Sequence, residues 1–400
     1  MKKKLLFDVE QLSVDGLKGT GIVRVCDELL CRLVKNNNID VYPVITSKRG
    51  DFDAYLKERG LYKILKNKVV YMQKLKTTTK NLNGLQKIRN KVLSKIYGSK
   101  YKNILSEYDA YLSLFSPISP VIYQSNIKTY MVIHDIIPII YPEGCSNKFI
   151  KKFKNWMQSA DADGYFAVSN FTKDDFLKFR SDEKNKPVYT MYLGASDYFK
   201  PITNKKVLQK VKEKYGITAP KYFLAVSEIT ARKNFIHLLK SFVSFLDKTG
   251  ADDIQLVLAG RVRDGYTAVA TQVSGFETYQ NKIIQTGFVD NDDLAPLYSG
   301  ALAFIYPSLY EGFGLPVLEG MQCGVPVITA DNTSLPEVGG DAVMYITGID
   351  EKETVRALSH LYQNKELRKL LSKKGLERAK RFNWDNAVQI VEEVIKGDKK

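Results

Sequence analysis

The stretch Glu311-Gly-Phe-Gly-Leu-Pro-Val-Leu-Glu319, continued by Gly320-Met-Gln-Cys-Gly-Val-Pro-Val-Ile-Thr329, decides how this chain is read. An apolar run, Ala303-Phe-Ile-Tyr-Pro307, precedes it and has the composition of a strand. Two glycines and Pro316 then break the chain, and a helix is expected from about Leu315, with Pro316 in a first turn that suits its fixed φ. The free N–H groups of a helix start, backed by the helix dipole, favour an anion, here beside Gly312, Phe313, Gly314 and Leu315. Glu311 stands on the loop side and Glu319 two turns into the helix. Carboxylates repel a phosphate, so these two suit sugar or ribose hydroxyls. An ordinary βα turn with both Glu on a solvated face is the plain alternative.

Apolar runs alternate with helical patterns on either side of this stretch. Strands are expected at 5–9, 40–45, 110–115, 129–133, 164–168 and 188–193, then at 222–226, 254–259, 283–288, 303–306, 325–329 and 342–346. Continuous runs such as Gln255-Leu-Val-Leu-Ala-Gly260 indicate parallel strands covered on both faces. The fold class is therefore α/β, with two Rossmann-like doubly wound domains. The break falls near Gly194–Pro201, which sets the domains at 1–198 and 199–382. A last amphipathic helix follows over 383–400, with Asn383 as its expected cap.

Three further clusters lie at expected strand ends, where ligands of such sheets gather. Val226-Ser-Glu-Ile-Thr-Ala-Arg-Lys-Asn-Phe235 follows a strand, and Ser227, Arg232 and Lys233 there are candidates to hold a diphosphate. Arg offers a planar fork and Lys a mobile point charge, and both neutralise a leaving diphosphate without a metal. The first turn, Gly16-Leu-Lys-Gly-Thr-Gly-Ile-Val-Arg24, brings Gly19, Thr20 and Gly21, whose backbone can approach a phosphate closely. It is not the dinucleotide fingerprint, because Val23 stands where a third glycine is needed. Met131-Val-Ile-His-Asp-Ile-Ile-Pro138 ends a strand on His134, which either contacts a ligand or is a satisfied core histidine. Gly260, Phe288, Val289 and Tyr310 follow strand ends of the second half, with Phe288 or Val289 placed to meet a base.

Together these stretches resemble the retaining GT-B glycosyltransferases of family 4. The Glu-x7-Glu pattern of 311–319, Arg232-Lys-Asn234, Thr20-Gly-Ile-x-Arg24 and His134-Asp-Ile-Ile-Pro138 carry the resemblance, which is strongest over 222–340 and weakest over 46–108. The resemblance implies two Rossmann-like domains facing across a cleft, with the final helix crossing back to the N-terminal domain. It implies retaining, metal-independent transfer of a hexose from a nucleotide-diphosphate sugar, best matched by GDP-mannose. The acceptor would be a saccharide or lipid-linked saccharide of a cell-surface polysaccharide. Glu311 would lie over the donor sugar, Glu319 on the ribose, the first turn over the phosphates and His134 on the sugar. Transfer by same-face attack, with a diphosphate oxygen as base, is expected rather than a nucleophilic Glu311, and Glu311→Gln is expected to leave the fold intact. A GT-B phosphorylase or epimerase shares the fold and is the nearest alternative.

Composition narrows the remaining classes. The net charge of +16 is uneven, +14 over 1–200 and +2 over 201–400, and residues 57–102 hold fourteen basic residues against Glu58 alone. Such a patch faces phosphates. Its Leu, Tyr and Met groupings favour an anionic membrane surface, with solvated helix faces as the alternative. A nucleic-acid-binding protein would account for the charge but not for the two Glu residues, so no nucleic acid is expected. No stretch reaches the roughly 20 apolar residues of a membrane span, and the basic start lacks a signal-peptide core. A cytoplasmic protein, peripheral at the inner face of the membrane, is expected. The four scattered Cys read as reduced, buried thiols. Asp51-Phe-Asp53 and Asp161-Ala-Asp163 match a short metal-binding pattern but have no partner ligands, so no metal and no cofactor are expected.

Overall fold

In the computed structural model the described residues are 1–397 except 14–20, 46–50, 73–100, 102, 124, 144, 182–184 and 263–275. The chain divides into two compact units. The first comprises Met1–Ile139, Asn147–Leu193 and Trp384–Lys400, and the second Ile140–Ser146 and Gly194–Asn383. The division after Leu193 falls five residues before the expected boundary at 198.

The first unit is built on a seven-stranded parallel sheet: β1 (Lys4–Asp8), β2 (Asp40–Ile45), β3 (Val70–Tyr71), β4 (Ala110–Ser113), β5 (Lys128–Ile133), β6 (Gly164–Ala167) and β7 (Val188–Thr190). Their order in space is β3-β2-β1-β4-β5-β6-β7. The second unit has six strands: β8 (Lys221–Val226), β9 (Ile254–Ala259), β10 (Ile283–Gly287), β11 (Ala303–Tyr306), β12 (Val327–Ala330) and β13 (Met344–Ile346). Their order is β10-β9-β8-β11-β12-β13, again with every pair parallel. Both sheets are thus doubly wound, and winding reverses between β1 and β4 in one and between β8 and β11 in the other. All six side chains of β9 are buried, as a strand covered on both faces requires. Phe223, Phe242 and Phe245 interlock edge to face beneath β8, fixing the helix Phe235–Thr249 on that sheet.

Every expected strand is present in these sheets, and one more exists. β3 is two residues long and pairs Val44 with Val70 at the sheet edge. So short a strand has no periodicity to read, and it lies inside the basic stretch.

The last helix, Trp384–Lys396, belongs to the first unit although the second precedes it in the chain. Asp385 accepts a hydrogen bond from Arg32 at 2.9 Å, and Glu392 one from the Asn38 amide at 2.8 Å. Trp384, Ala387, Val388 and Val391 are buried along one face of the helix. That apolar stripe is the reason the segment docks.

The two Asp-x-Asp patterns have local structural partners. Asp51 caps the helix Phe52–Glu58 by accepting from Ala54 N, and Asp163 accepts from the Thr129 amide and hydroxyl. Asp161 pairs with Lys186. All four cysteines are free, but only Cys26 and Cys323 are buried; Cys31 and Cys145 are half-buried, which corrects the expectation of four buried thiols.

Candidate functional site

The β8/β11 boundary of the second unit is where winding reverses, and the carboxyl ends of strands at such a point are where ligands of open α/β sheets bind. The register pairs Ala303 with Phe223 and Phe304 with Leu224, so the two strands end side by side. After β8 the chain makes a short turn, Ala231–Lys233, and Asn234 takes a left-handed conformation at φ 61° and ψ 33°. Asn tolerates that region better than most residues. Its side chain makes no helix cap. The amide instead donates to Gly348 O at 2.6 Å and Pro307 O at 3.3 Å, while Leu309 N donates to Arg232 O at 2.9 Å. The loop after β8 is thereby fastened to the loop after β11.

This fastening gathers three of the sequence candidates on one atom. Oε1 of Glu311 accepts from Arg232 Nη1 at 2.7 Å, Lys233 Nζ at 2.5 Å, Ser308 Oγ at 2.5 Å and Tyr306 OH at 2.9 Å. Arg232 Nη1 also donates to Tyr310 O at 2.5 Å, and Lys233 Nζ donates to Tyr306 OH and stands 4.8 Å from the centre of that ring. Glu311 is buried. Burial alone would raise its carboxyl pKa, but the charges of Arg232 and Lys233 outweigh it and hold the group down at about 2. Burial acts the other way on Lys233 and pulls its ammonium down to about 8, against the attraction of Glu311.

A second layer fixes Glu311 from behind. Its N–H donates to Thr333 Oγ1 at 3.2 Å, its carbonyl accepts from Ser334 Oγ at 3.0 Å, and Asn332 Nδ2 donates to Ser308 O at 3.1 Å. Thr333 sits at φ 52°, a strained setting for a β-branched residue. Strain of this kind persists only where the surroundings impose it, and here it lies one hydrogen bond from the carboxylate hub. The expected helix runs Leu315–Gln322 with Pro316 in its first turn. Gly314 precedes it at φ 104°, where a Cβ would stand 2.7 Å from Leu335 Cδ2. Val317 N and Leu318 N turn back to Gly314 O. Gly312 and Phe313 are buried in the same loop.

Glu319 does not join the hub. It is buried on the helix, and its Oε2 accepts from Tyr298 OH at 3.2 Å. Gly260 ends β9 at φ 146°, and a Cβ there would fall 1.8 Å from Ser227 O, so the loops after β8 and β9 pass too close for any side chain. Arg261 stacks 4.5 Å over the Phe288 ring, which is 51% exposed, whereas Val289 and Tyr310 are buried. Ser227 is half-buried.

In the first unit, Gly19 and Thr20 lie outside the described residues, and Gly21 opens the helix Gly21–Asn36 on its exposed side. His134 ends β5, buried, with Nε2 2.8 Å from Leu114 O and its ring edge-on to Phe115. A carbonyl only accepts, so Nε2 carries the proton and Nδ1 keeps the lone pair of an acceptor. Burial lowers the ring's pKa to about 4, which keeps it neutral near pH 7. Asp135 accepts from Ile137 N at 2.9 Å and shapes the turn after β5.

Sequence reasoning missed Tyr306, Ser308, Asn332, Thr333 and Ser334. A signal existed for the last three: Asp331-Asn-Thr-Ser334 is a polar run directly after β12, the strand beside β11.

Comparison with known proteins bears on this site. Residues 208–378 match the family model described as Glycosyl transferases group 1. The chain is 34% identical over 219 residues to the O-antigen chain mannosyltransferase B of Escherichia coli, covering 55% of this chain and 56% of that protein. It is 28% identical over 262 residues to the O-antigen chain mannosyltransferase RfbU of Salmonella typhimurium, covering 65% and 67%. The chain thus spans about half the length of the first relative, and its match to the serotype-specific mannosyltransferase WbdA of Escherichia coli covers 32% of that protein. Among solved structures, a glycosyltransferase from Rickettsia africae superposes with a TM-score of 0.72 at 18% identity, over 99% of this chain and 98% of the other. Anabaena HepE in complex with UDP superposes with 0.71 at 16% identity, over 99% and 100%. At these identities the structures speak for the fold.

The hub gives Glu311 a part in stability, which changes what is expected of Glu311→Gln. Removing the charge leaves the half-buried Arg232 and Lys233 without the carboxylate they share, a loss of about 3 kcal/mol, the low end for a buried pair. The folded carboxyl titrates at about 2, below its ordinary value of about 4.3, so this stabilisation is present above pH 4.3 and is lost as pH falls towards 2. Urea unfolding of wild type and Glu311→Gln at pH 7 and pH 3 should show a stability gap that narrows in acid. Equal stability at pH 7 would contradict the hub.

Proposed function

We propose that this chain, whose residues 208–378 belong to the group 1 glycosyl transferases and whose two parallel sheets form a GT-B fold, transfers a hexose from a nucleotide-diphosphate sugar to a saccharide acceptor in surface-polysaccharide synthesis. The observation that carries this reading is the pair of half-buried cations, Arg232 and Lys233, held by the buried Glu311 at the β8/β11 switch point. A diphosphate leaving group develops charge as the glycosidic bond breaks, and two preorganised cations stabilise that charge in place of a metal. The mannosyltransferase relatives favour a mannosyl donor, and GDP-mannose is the proposed one.

The chemistry follows from the same geometry. Oε1 of Glu311 takes four hydrogen bonds, and its carboxyl is held far below neutral pH, so the group is a stable anion and a weak nucleophile. Such an anion suits sugar hydroxyls, and retention then comes from same-face attack with a diphosphate oxygen as base. Gly312–Leu315 are assigned to the phosphate, Glu319 with Tyr298 to the ribose, and the exposed Phe288 with Arg261 to the base. His134, neutral and with an acceptor lone pair on Nδ1, is assigned to a sugar hydroxyl.

No helix among the described residues is long and apolar enough to cross a membrane. Association with an anionic membrane surface, which would bring the enzyme to a lipid-linked acceptor, is proposed through the basic stretch. In its described part, 57–72, Ile64 and Tyr71 are 54% and 67% exposed beside exposed Lys57, Lys63 and Lys66. Lys68 is instead paired with Asp40. The helix Asn147–Ser159 of the same unit adds exposed Lys148, Lys151, Lys152 and Lys154 and no acid. Residues 73–100 lie outside the described residues.

Three measurements test these readings. Calorimetry with GDP and UDP should show nucleoside-diphosphate binding that Arg232→Ala and Lys233→Ala each weaken by roughly 10–100-fold, the worth of a charge-assisted contact. Mannosyl transfer from GDP-mannose should persist in excess EDTA. Unchanged affinity in both variants would remove the diphosphate from this site. For the membrane, liposome co-sedimentation should show binding that needs anionic lipid and is lost in high salt, at about 1 kcal/mol per engaged lysine. The triple variant Lys57→Ser, Lys63→Ser, Lys66→Ser should bind at least tenfold more weakly. Wild type left in the supernatant at low salt would end the membrane reading.

A further inference from the structure

Of the two cations in the hub, Arg232 keeps its charge at any physiological pH, whereas the charge of Lys233 depends on what surrounds it. The Lys233 side chain is 11% exposed. Glu311 faces it at 2.5 Å, Arg232 shares the same carboxylate oxygen, and Glu228 lies on the same loop, exposed. Tyr306 completes the shell; burial pushes its phenol well above its ordinary range, so it stays neutral. Arg232 works against the ammonium, and a buried ammonium without a counter-ion gives up its proton. Among the described residues, Glu311 is the one carboxylate in hydrogen-bond contact with Nζ.

We infer that Glu311 acts on the bound diphosphate through Lys233, as the counter-ion that keeps this lysine protonated and so sets the pH at which nucleoside-diphosphate affinity is lost. The inference rests on the reading that the switch-point crevice takes a nucleotide. In this role Glu311 is a positioning residue, distinct from any contact it makes with the sugar.

The sign is fixed by linkage. Burial lowers the Lys233 pKa to about 8 in the free protein, and an arriving diphosphate raises it by adding negative charge beside it. Binding is therefore insensitive to this group below pH 8. Above pH 8 it weakens by up to about tenfold per pH unit, because each binding event must first restore one proton. With Glu311 neutral, the onset moves to lower pH by about one unit or more, since burial and Arg232 are then opposed only by the exposed and more weakly acting Glu228. The second ionisation of a phosphate monoester falls near pH 6, below the window that matters.

Calorimetric titration with GDP and with UDP, from pH 6.5 to 9.5, tests this on wild type, Glu311→Gln, Glu311→Asp and Lys233→Arg. Wild type should bind with a flat profile to about pH 8 and then weaken. Lys233→Arg should stay flat to pH 9.5, because guanidinium does not titrate there. Glu311→Asp, whose carboxylate is one methylene shorter, should begin to weaken below the wild-type pH, and Glu311→Gln lower still. If Glu311→Gln does not fold, Glu311→Asp and Lys233→Arg carry the test. An unmoved midpoint in the Glu311 variants, or a pH-dependent loss that survives in Lys233→Arg, overturns the inference while leaving the nucleotide reading intact. No binding of either nucleotide to wild type at any pH overturns both.

Discussion

One buried carboxylate oxygen organises the second unit. Glu311 Oε1 takes donors from Arg232, Lys233, Tyr306 and Ser308, and without it two half-buried cations would lose the carboxylate they share. A buried ion pair gives little net stability compared with apolar packing, but breaking one side of it is costly. Such an arrangement is weak support for a purely structural role and better support for a site that needs charge held ready. Preorganised charge requires no reorganisation when a leaving group develops its own.

The constraint that brings these residues together is topological. Strands β8 and β11 are neighbours in the sheet but lie about 80 residues apart in the chain, so the loops after them meet only once the sheet has formed. Several backbone settings then become compulsory. Gly260 allows the β8 and β9 loops to pass at a distance no Cβ would permit, Asn234 bridges two loops from a left-handed conformation, and Thr333 is held at positive φ behind Glu311. The first unit uses the same winding but is closed by the chain's last helix, whose apolar face and two polar ties, Arg32–Asp385 and Asn38–Glu392, place it there.

Much of this was legible before any coordinate. Parallel strands buried on both faces leave continuous apolar runs, which is why twelve strands could be read and two-residue β3 could not. Glu311, Arg232 and Lys233 stood out because they lie in Gly- and Pro-broken or strand-end stretches whose residue types suit hydroxyls and a diphosphate. What could not be read was their mutual arrangement. Sequence spacing carries no information that one oxygen is shared by four donors, that Glu319 meets Tyr298, or that Asn234 bridges loops instead of capping its helix. Thr333 was invisible because its strain comes wholly from tertiary packing. The stability role of Glu311 followed only from its burial.

The central claim is that the Glu311–Arg232–Lys233 hub receives the diphosphate of a nucleotide. The most direct measurement is a crystal structure of this protein with GDP or UDP bound. The account predicts β-phosphate oxygens at about 2.7–2.9 Å from the Arg232 guanidinium and the Lys233 ammonium, the spacing of charge-assisted hydrogen bonds, at the carboxyl ends of β8 and β11. A nucleotide bound elsewhere, with both cations still committed to Glu311 alone, would contradict it.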